Sequence, residues 1–138
     1  MAASVLVDAG FLVALLNRRD ANHGWAAAQA PRFPPPWKSC DAALTEPFHV
    51  ITEHRRALLY ALLQRRLVVC TSHMGEDIDE ILALMKKYAG VPMSFADACL
   101  VRMAEALPDP ILLTTDTDFH VYRRHGRQSI PCLLPGQR

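Results

Sequence analysis

An α/β domain, built as a roughly five-stranded parallel sheet with helices on both faces, follows from three features of the chain. Short apolar, partly β-branched runs alternate with longer segments of helical spacing throughout. The 138 residues suit one domain spanning 1–138 rather than two. A content of 51% hydrophobic against 21% charged residues is the balance of a packed core, which excludes a disordered chain.

Ser4 to Val7 (SVLV) is short, apolar and stopped by Asp8, as a buried strand would be. FLVALLNRR continues at helical density to Arg19, Asp20-Ala-Asn22 breaks it, and HGWAAAQA restarts a helix. PRFPPPW then carries four prolines in seven residues and reads as a surface connection. A short strand is expected near Lys38 to Cys40. Ala43 to Arg66 is helical, as one helix or two, with Leu58, Leu59, Leu62 and Leu63 on one face. Pro47 is compatible with that helix only in its first turn, where a missing N–H goes unnoticed. LVVCT at 67–71 is a strand, and Ile78, Ile81, Leu82, Met85 and Tyr88 mark a helix closed by Gly90 and Pro92. Ser94 opens a further helix whose apolar face holds Phe95, Cys99, Leu100, Met103 and Leu107. ILLTT at 111–115 is a strand, DFHVYRRHG a short helix, and SIPCLL an edge strand, since Pro131 cannot serve a central ladder.

Fifteen Lys and Arg against 14 Asp and Glu give a formal net charge of +1, so bulk charge selects no partner. No apolar run approaches the 18 or so residues of a membrane span, and Asp8 interrupts the first apolar stretch before it could act as a secretion signal. The four cysteines form no CxxC pair, and three have apolar neighbours, as small buried hydrophobes do. A reduced, cytoplasmic protein with no membrane association is the expectation.

In an open parallel α/β sheet, ligands bind beyond the carboxyl ends of the strands. Asp8 ends the first strand and Asp116 the fourth, with Asp118 two residues on. Glu46 follows the short second strand. Asp97 lies in the first turn of its helix, roughly 120° from the centre of the apolar face. Unit charges a few ångströms apart repel by about 1–4 kcal/mol, so such acids must take up protons or share a cation. All-oxygen ligation favours Mg²⁺ or Mn²⁺, ions that assist phosphodiester cleavage. Every acid but Asp8 also has a ready local explanation. Ser94-Phe-Ala-Asp97 fits a capping box, Asp116 and Asp118 fit turns, and Glu46 fits a helix start. Asp8 has no such obvious neighbour, and the joint placement of the acids carries the site.

The segments VLVDAGFLVALLNRRDANH, LTEPFHVI, SFADACLVRMAE and ILLTTDTDF, in that order and spacing, resemble a PIN-domain ribonuclease. Within that family they look most like the VapC-type toxins of bacterial toxin–antitoxin pairs. The likeness runs from Val5 to about Leu133 and implies a three-layer PIN-like domain whose acids bind Mg²⁺ or Mn²⁺ for RNA cleavage. By motif, the family's acids fall on Asp8, Glu46, Asp97 and Asp116, a second late acid on Asp118, and its small hydroxyl residue on Thr114. Ala9 departs from the Ser or Thr usual after the first Asp, which removes a hydroxyl near the metal but no carboxylate. The resemblance further implies RNA as substrate, a homodimer, and a small antitoxin protein laid over the acids. A groove between the 9–30 and 43–66 helices, where Ala26-Ala27-Ala28 permits close approach, would suit that partner.

An RNA enzyme needs cations beside its acids. Arginine pairs stand at 18–19, 55–56, 65–66 and 123–124, with Lys86-Lys87 a fifth doublet, and solvated helix faces account for most such pairs. Trp25, Trp37 and Phe119 suit base stacking or packing, with packing the commoner use. Other functions fit less well. A phosphatase of the haloacid-dehalogenase type needs an Asp where Gly10 stands. That phosphatase and a phosphotransfer receiver both use a late Lys, yet none follows Lys87. A non-catalytic module binding RNA or protein is the remaining alternative, and Ala9 is the residue that favours it.

Overall fold

The computed structural model describes residues 3–136. The elements run β1 (Ser4–Val7), α1 (Ala9–Leu16), α2 (His23–Gln29), β2 (Trp37–Ser39), α3 (Asp41–Val50), α4 (Glu53–Gln64), β3 (Val68–Cys70), α5 (Ile78–Lys87), α6 (Phe95–Ala106) and β4 (Pro110–Leu113). After a 3₁₀ turn at Thr117–His120 come β5 (Arg123–Arg124), β6 (Gln128–Ser129) and β7 (Cys132–Leu133). Five strands form one parallel sheet in the order β3-β2-β1-β4-β7. The chain therefore fills the sheet outward from β1 to β3, then returns to the other side of β1. The crevice left by that reversal lies between the carboxyl ends of β1 and β4, where α/β sheets hold ligands.

The period-two alternation of β1 divides the core into two layers. Val5 and Val7 face Phe11, Leu12, Ala14, Ala26, Trp37 and Leu44, under α1 and α2. Leu6 faces the opposite way, toward Cys99, Val101, Met103, Phe119 and Tyr122, under α5 and α6. Ser39, fully buried, donates its hydroxyl hydrogen to the carbonyl of Val7 at 2.8 Å and ties β2 to β1. Trp37 and Phe119 are core residues, so packing is their use. All four cysteines are free thiols; Cys70 is exposed despite its apolar neighbours, because β3 is an edge strand. Among the described residues, no helix is long and apolar enough to cross a membrane.

Four local expectations are corrected. The first helix stops at Leu16 rather than Arg19, because Asn17 turns extended and its side chain accepts the Arg19 N–H at 3.1 Å. Pro47 is the seventh residue of α3, not in the first turn; it is buried, and its own carbonyl still accepts the Ile51 N–H at 2.9 Å. DFHVYRRHG does not form a helix beyond the 3₁₀ turn. Tyr122 is drawn into the core, and His125 and Gly126, at φ 52° and 78°, turn the chain so that β5 and β6 pair antiparallel. Ser129 belongs to that hairpin, so the edge strand is shorter than SIPCLL, with Cys132 and Leu133 beside β4.

Candidate active site

A pocket of about 240 Å³ opens at the crevice, lined by Asp8, Glu46, Asp97 and Asp116 together with Ser94 and Thr115 among others. Its remaining walls are Ala9, Gly10, Ala43, Ala96 and Leu100, and no Lys, Arg or His lines it among the described residues. The four acids come from four elements: the end of β1, the middle of α3, the first turn of α6 and the segment after β4.

Asp8 is the N-cap of α1, a local role its sequence neighbours did not suggest. Its Oδ1 accepts the Phe11 N–H at 2.8 Å, satisfying one of the unpaired donors at a helix start. Its Oδ2 accepts from the Thr114 hydroxyl, and Thr114 in turn receives the Asp116 N–H at 2.9 Å. The hydroxyl that serves Asp8 thus comes from β4's end rather than from position 9. Burial pushes the Asp8 carboxyl up from 3.8 to about 7; the charges of Asp116 and Asp97 add to the rise, while its two hydrogen bonds oppose it.

Asp97 takes the capping role expected of it and also lines the acid pocket. The capping box is complete, with the Asp97 N–H donating to Ser94 Oγ at 3.0 Å and the Ser94 N–H to Asp97 Oδ2 at 3.3 Å. The same Oδ2 accepts from the Tyr122 hydroxyl at 3.3 Å, and among the described residues Oδ1 has no hydrogen-bond partner. Burial raises this carboxyl too, and the charge of Asp116 adds to the effect. Asp116 caps the 3₁₀ turn: its Oδ1 accepts the Asp118 N–H at 2.9 Å, and among the described residues Oδ2 carries no hydrogen bond. Glu46 is exposed at the pocket wall, in the middle of α3 rather than at a helix start. Asp118 adjoins the site through its backbone but does not line the pocket.

Two contributors were invisible in the chain's local pattern. Tyr122, fully buried between Phe119 and Tyr88, reaches Asp97 from an irregular segment; burial, then the Asp97 charge, pushes its phenol up. Gly10 faces Thr115, and a Cβ on Gly10 would collide with Thr115 Oγ1, so the bare glycine lets α1 start against the β4 end.

Among the described residues, no group of three or more His, Cys, Asp or Glu side chains is placed to hold a metal ion as it stands. Asp8, Asp97 and Asp116 each give one carboxylate oxygen to a helix or turn cap. The donor chemistry nonetheless fits a hard dication, because uncompensated acids surround one polar pocket and Asp97, Asp116 and Glu46 keep oxygens free.

The PIN-domain sequence profile matches residues 5–124, a span that holds the central strands and all four acids of the crevice: the chain belongs to that family. Its fold is similar to that of Mycobacterium tuberculosis VapC20, a toxin that cleaves the sarcin–ricin loop. The TM-score is 0.71 at 22% identity, over 86% of this chain and 94% of that one. No curated protein matches the chain in sequence. The family, the three-layer α/β architecture and the likeness to a VapC-type toxin expected from the four segments are borne out.

Proposed function

We propose that the protein is a Mg²⁺- or Mn²⁺-dependent endoribonuclease and the toxin of a toxin–antitoxin pair. The observation that carries this reading is the meeting of Asp8, Asp97, Asp116 and Glu46 around one pocket without a basic side chain. Burial raises the Asp8 carboxyl there to about 7, and a nearby positive charge would favour its ionised form. Asp8, Asp97 and Asp116 would hold the ion, with Glu46 completing the ring and Asp118 adjoining it. A bound ion would supply Lewis-acid polarisation of the phosphodiester and neutralise the carboxylates that otherwise repel it. Glu46, whose carboxylate has no hydrogen bond among the described residues, takes the proton from the attacking water as the new P–O bond forms. The bond to the leaving ribose oxygen breaks, and that oxygen is protonated from solvent. Thr114 and Tyr122 orient Asp8 and Asp97 throughout.

Family membership and the likeness to VapC20 support the partners as well: an RNA substrate, a homodimeric assembly and an antitoxin protein that covers the acids. Cleavage of structured RNA by the purified protein with Mn²⁺, with EDTA, and by an Asp97→Asn variant tests the reading. Asparagine keeps an oxygen for Ser94 and Tyr122, so the variant folds. Activity that survives both chelation and substitution overturns the mechanism. Equal inactivity of wild type and variant, with RNA still bound, favours the non-catalytic module that Ala9 recommends.

A further inference from the structure

The acid pocket explains why a cation is needed and leaves open what holds the negative strand that enters it. A second depression, of about 520 Å³, lies at the other end of α1 and is lined by Asn17, Arg18, Arg19, Thr52, His54 and Arg55. Among the described residues no acid lines it: Asp20 turns one carboxylate oxygen to the Asn22 N–H, and the exposed Glu53 sits in the first turn of α4, both outside the lining. Arg55 fixes one wall by donating from Nε to the carbonyl of Leu16 at 3.1 Å. Arg18 and Arg19 are exposed, and among the described residues neither guanidinium has a hydrogen-bond or ion-pair partner. Two arginines of the turn after α1 and one of α4 therefore converge on one cleft, and among the described residues none of the three is in an ion pair.

The position of the cleft gives this convergence a meaning. Helices α1 and α3 pack side by side, and both run from the acid pocket to the cleft: α1 from Asp8 to Asn17, α3 from Ala43 and Glu46 toward Thr52. At 1.5 Å per residue the two sites lie about 13 Å apart along α1. A stacked nucleic-acid strand advances about 3.4 Å per nucleotide, so that span is about four nucleotides.

We propose that the Arg18–Arg19–Arg55 cleft is a phosphate-binding subsite that grips the RNA strand about four nucleotides from the scissile bond. The inference rests on the ribonuclease reading and adds to it where the substrate is held. Phosphates pair with guanidinium groups through paired N–H donors, and such contacts position a strand without reading its sequence.

The test is binding of a labelled 20-nucleotide single-stranded RNA in EDTA, where no cleavage occurs. Wild type is compared with R18Q/R19Q and with K86Q/K87Q, which removes equal charge at the end of α5. R18Q/R19Q is expected to weaken binding about tenfold and to flatten the salt dependence of log K by about 1.4, the loss of two phosphate contacts. K86Q/K87Q is expected to change neither. Equal effects of the two doublets, or no effect of R18Q/R19Q, overturn the subsite. Unchanged RNA affinity with lost binding of a polyglutamate peptide also overturns it, in favour of an acidic protein partner. Absence of Mn²⁺-dependent cleavage by wild type, measured separately, refutes the nuclease reading and leaves the binding comparison intact.

Discussion

Replacing Asp8 with asparagine is expected to stabilise the metal-free protein at neutral pH. The Asp8 carboxyl titrates near 7 in the folded chain and at 3.8 ordinarily, chiefly because it is buried. Between those two values the folded state holds a proton that the unfolded state has lost. Stability is therefore full below pH 3.8 and falls as pH rises through 7. At 1.36 kcal/mol per pH unit the total loss is at most about 4 kcal/mol. The amide removes the charge, keeps an oxygen for the Phe11 N–H, and forces the Thr114 hydroxyl to find a new acceptor at a cost of about 1–3 kcal/mol. In EDTA at pH 8, urea denaturation should show Asp8→Asn more stable than wild type by about 1–3 kcal/mol. At pH 4 that advantage should vanish or reverse. A hundredfold excess of Mn²⁺ over its dissociation constant should stabilise wild type at pH 8 by about 2.7 kcal/mol and leave the variant unmoved. A wild type whose stability rises between pH 4 and 8 while Asp8→Asn follows the same curve would refute the reasoning.

Gly10→Ala should cost about 1–3 kcal/mol, because its Cβ collides with Thr115 Oγ1, and the double variant with Thr115→Ala should recover that loss in thermal melts. Tyr122→Phe removes the hydroxyl that lowers the Asp97 carboxyl. The acidic limb of Mn²⁺-dependent cleavage should then move to higher pH, with about 1 kcal/mol of stability lost to denaturant. Ser94→Ala should cost about 1 kcal/mol by opening the capping box of α6, read by chemical denaturation. EDTA should abolish RNA cleavage and added Mn²⁺ restore it.

The apolar runs in the sequence located all five strands of the parallel sheet because their composition is a local signal; β1 and β4 are largely buried, while the edge strands β3 and β7 are only partly so. The same logic brought Asp8, Asp97 and Asp116 to one crevice, since strand ends and a helix's first turn can be located from spacing alone, while Glu46 reaches it from the middle of α3. What spacing missed was decided by distant contacts. Asp8's cap partner is three residues on, but its second partner, Thr114, comes from the neighbouring strand. Tyr122 sits within RRHG-flanked polar sequence, and only the hollow beside Phe119 and Tyr88 draws it inward. The hairpin of β5 and β6 depends on positive φ at His125 and Gly126, and a lone His-Gly pair is weak notice of it. Pro47 survives inside α3 because the helix is short and the ring is packed away from water.

One carboxylate both begins α6 and borders the acid crevice. Exchange for an isosteric amide at position 97 spares the first task and forfeits the second. The lesion would thus surface as a well-made but inert molecule, not as an aggregate cleared by proteases. Mixed with the native form, such a decoy would compete for every companion it binds.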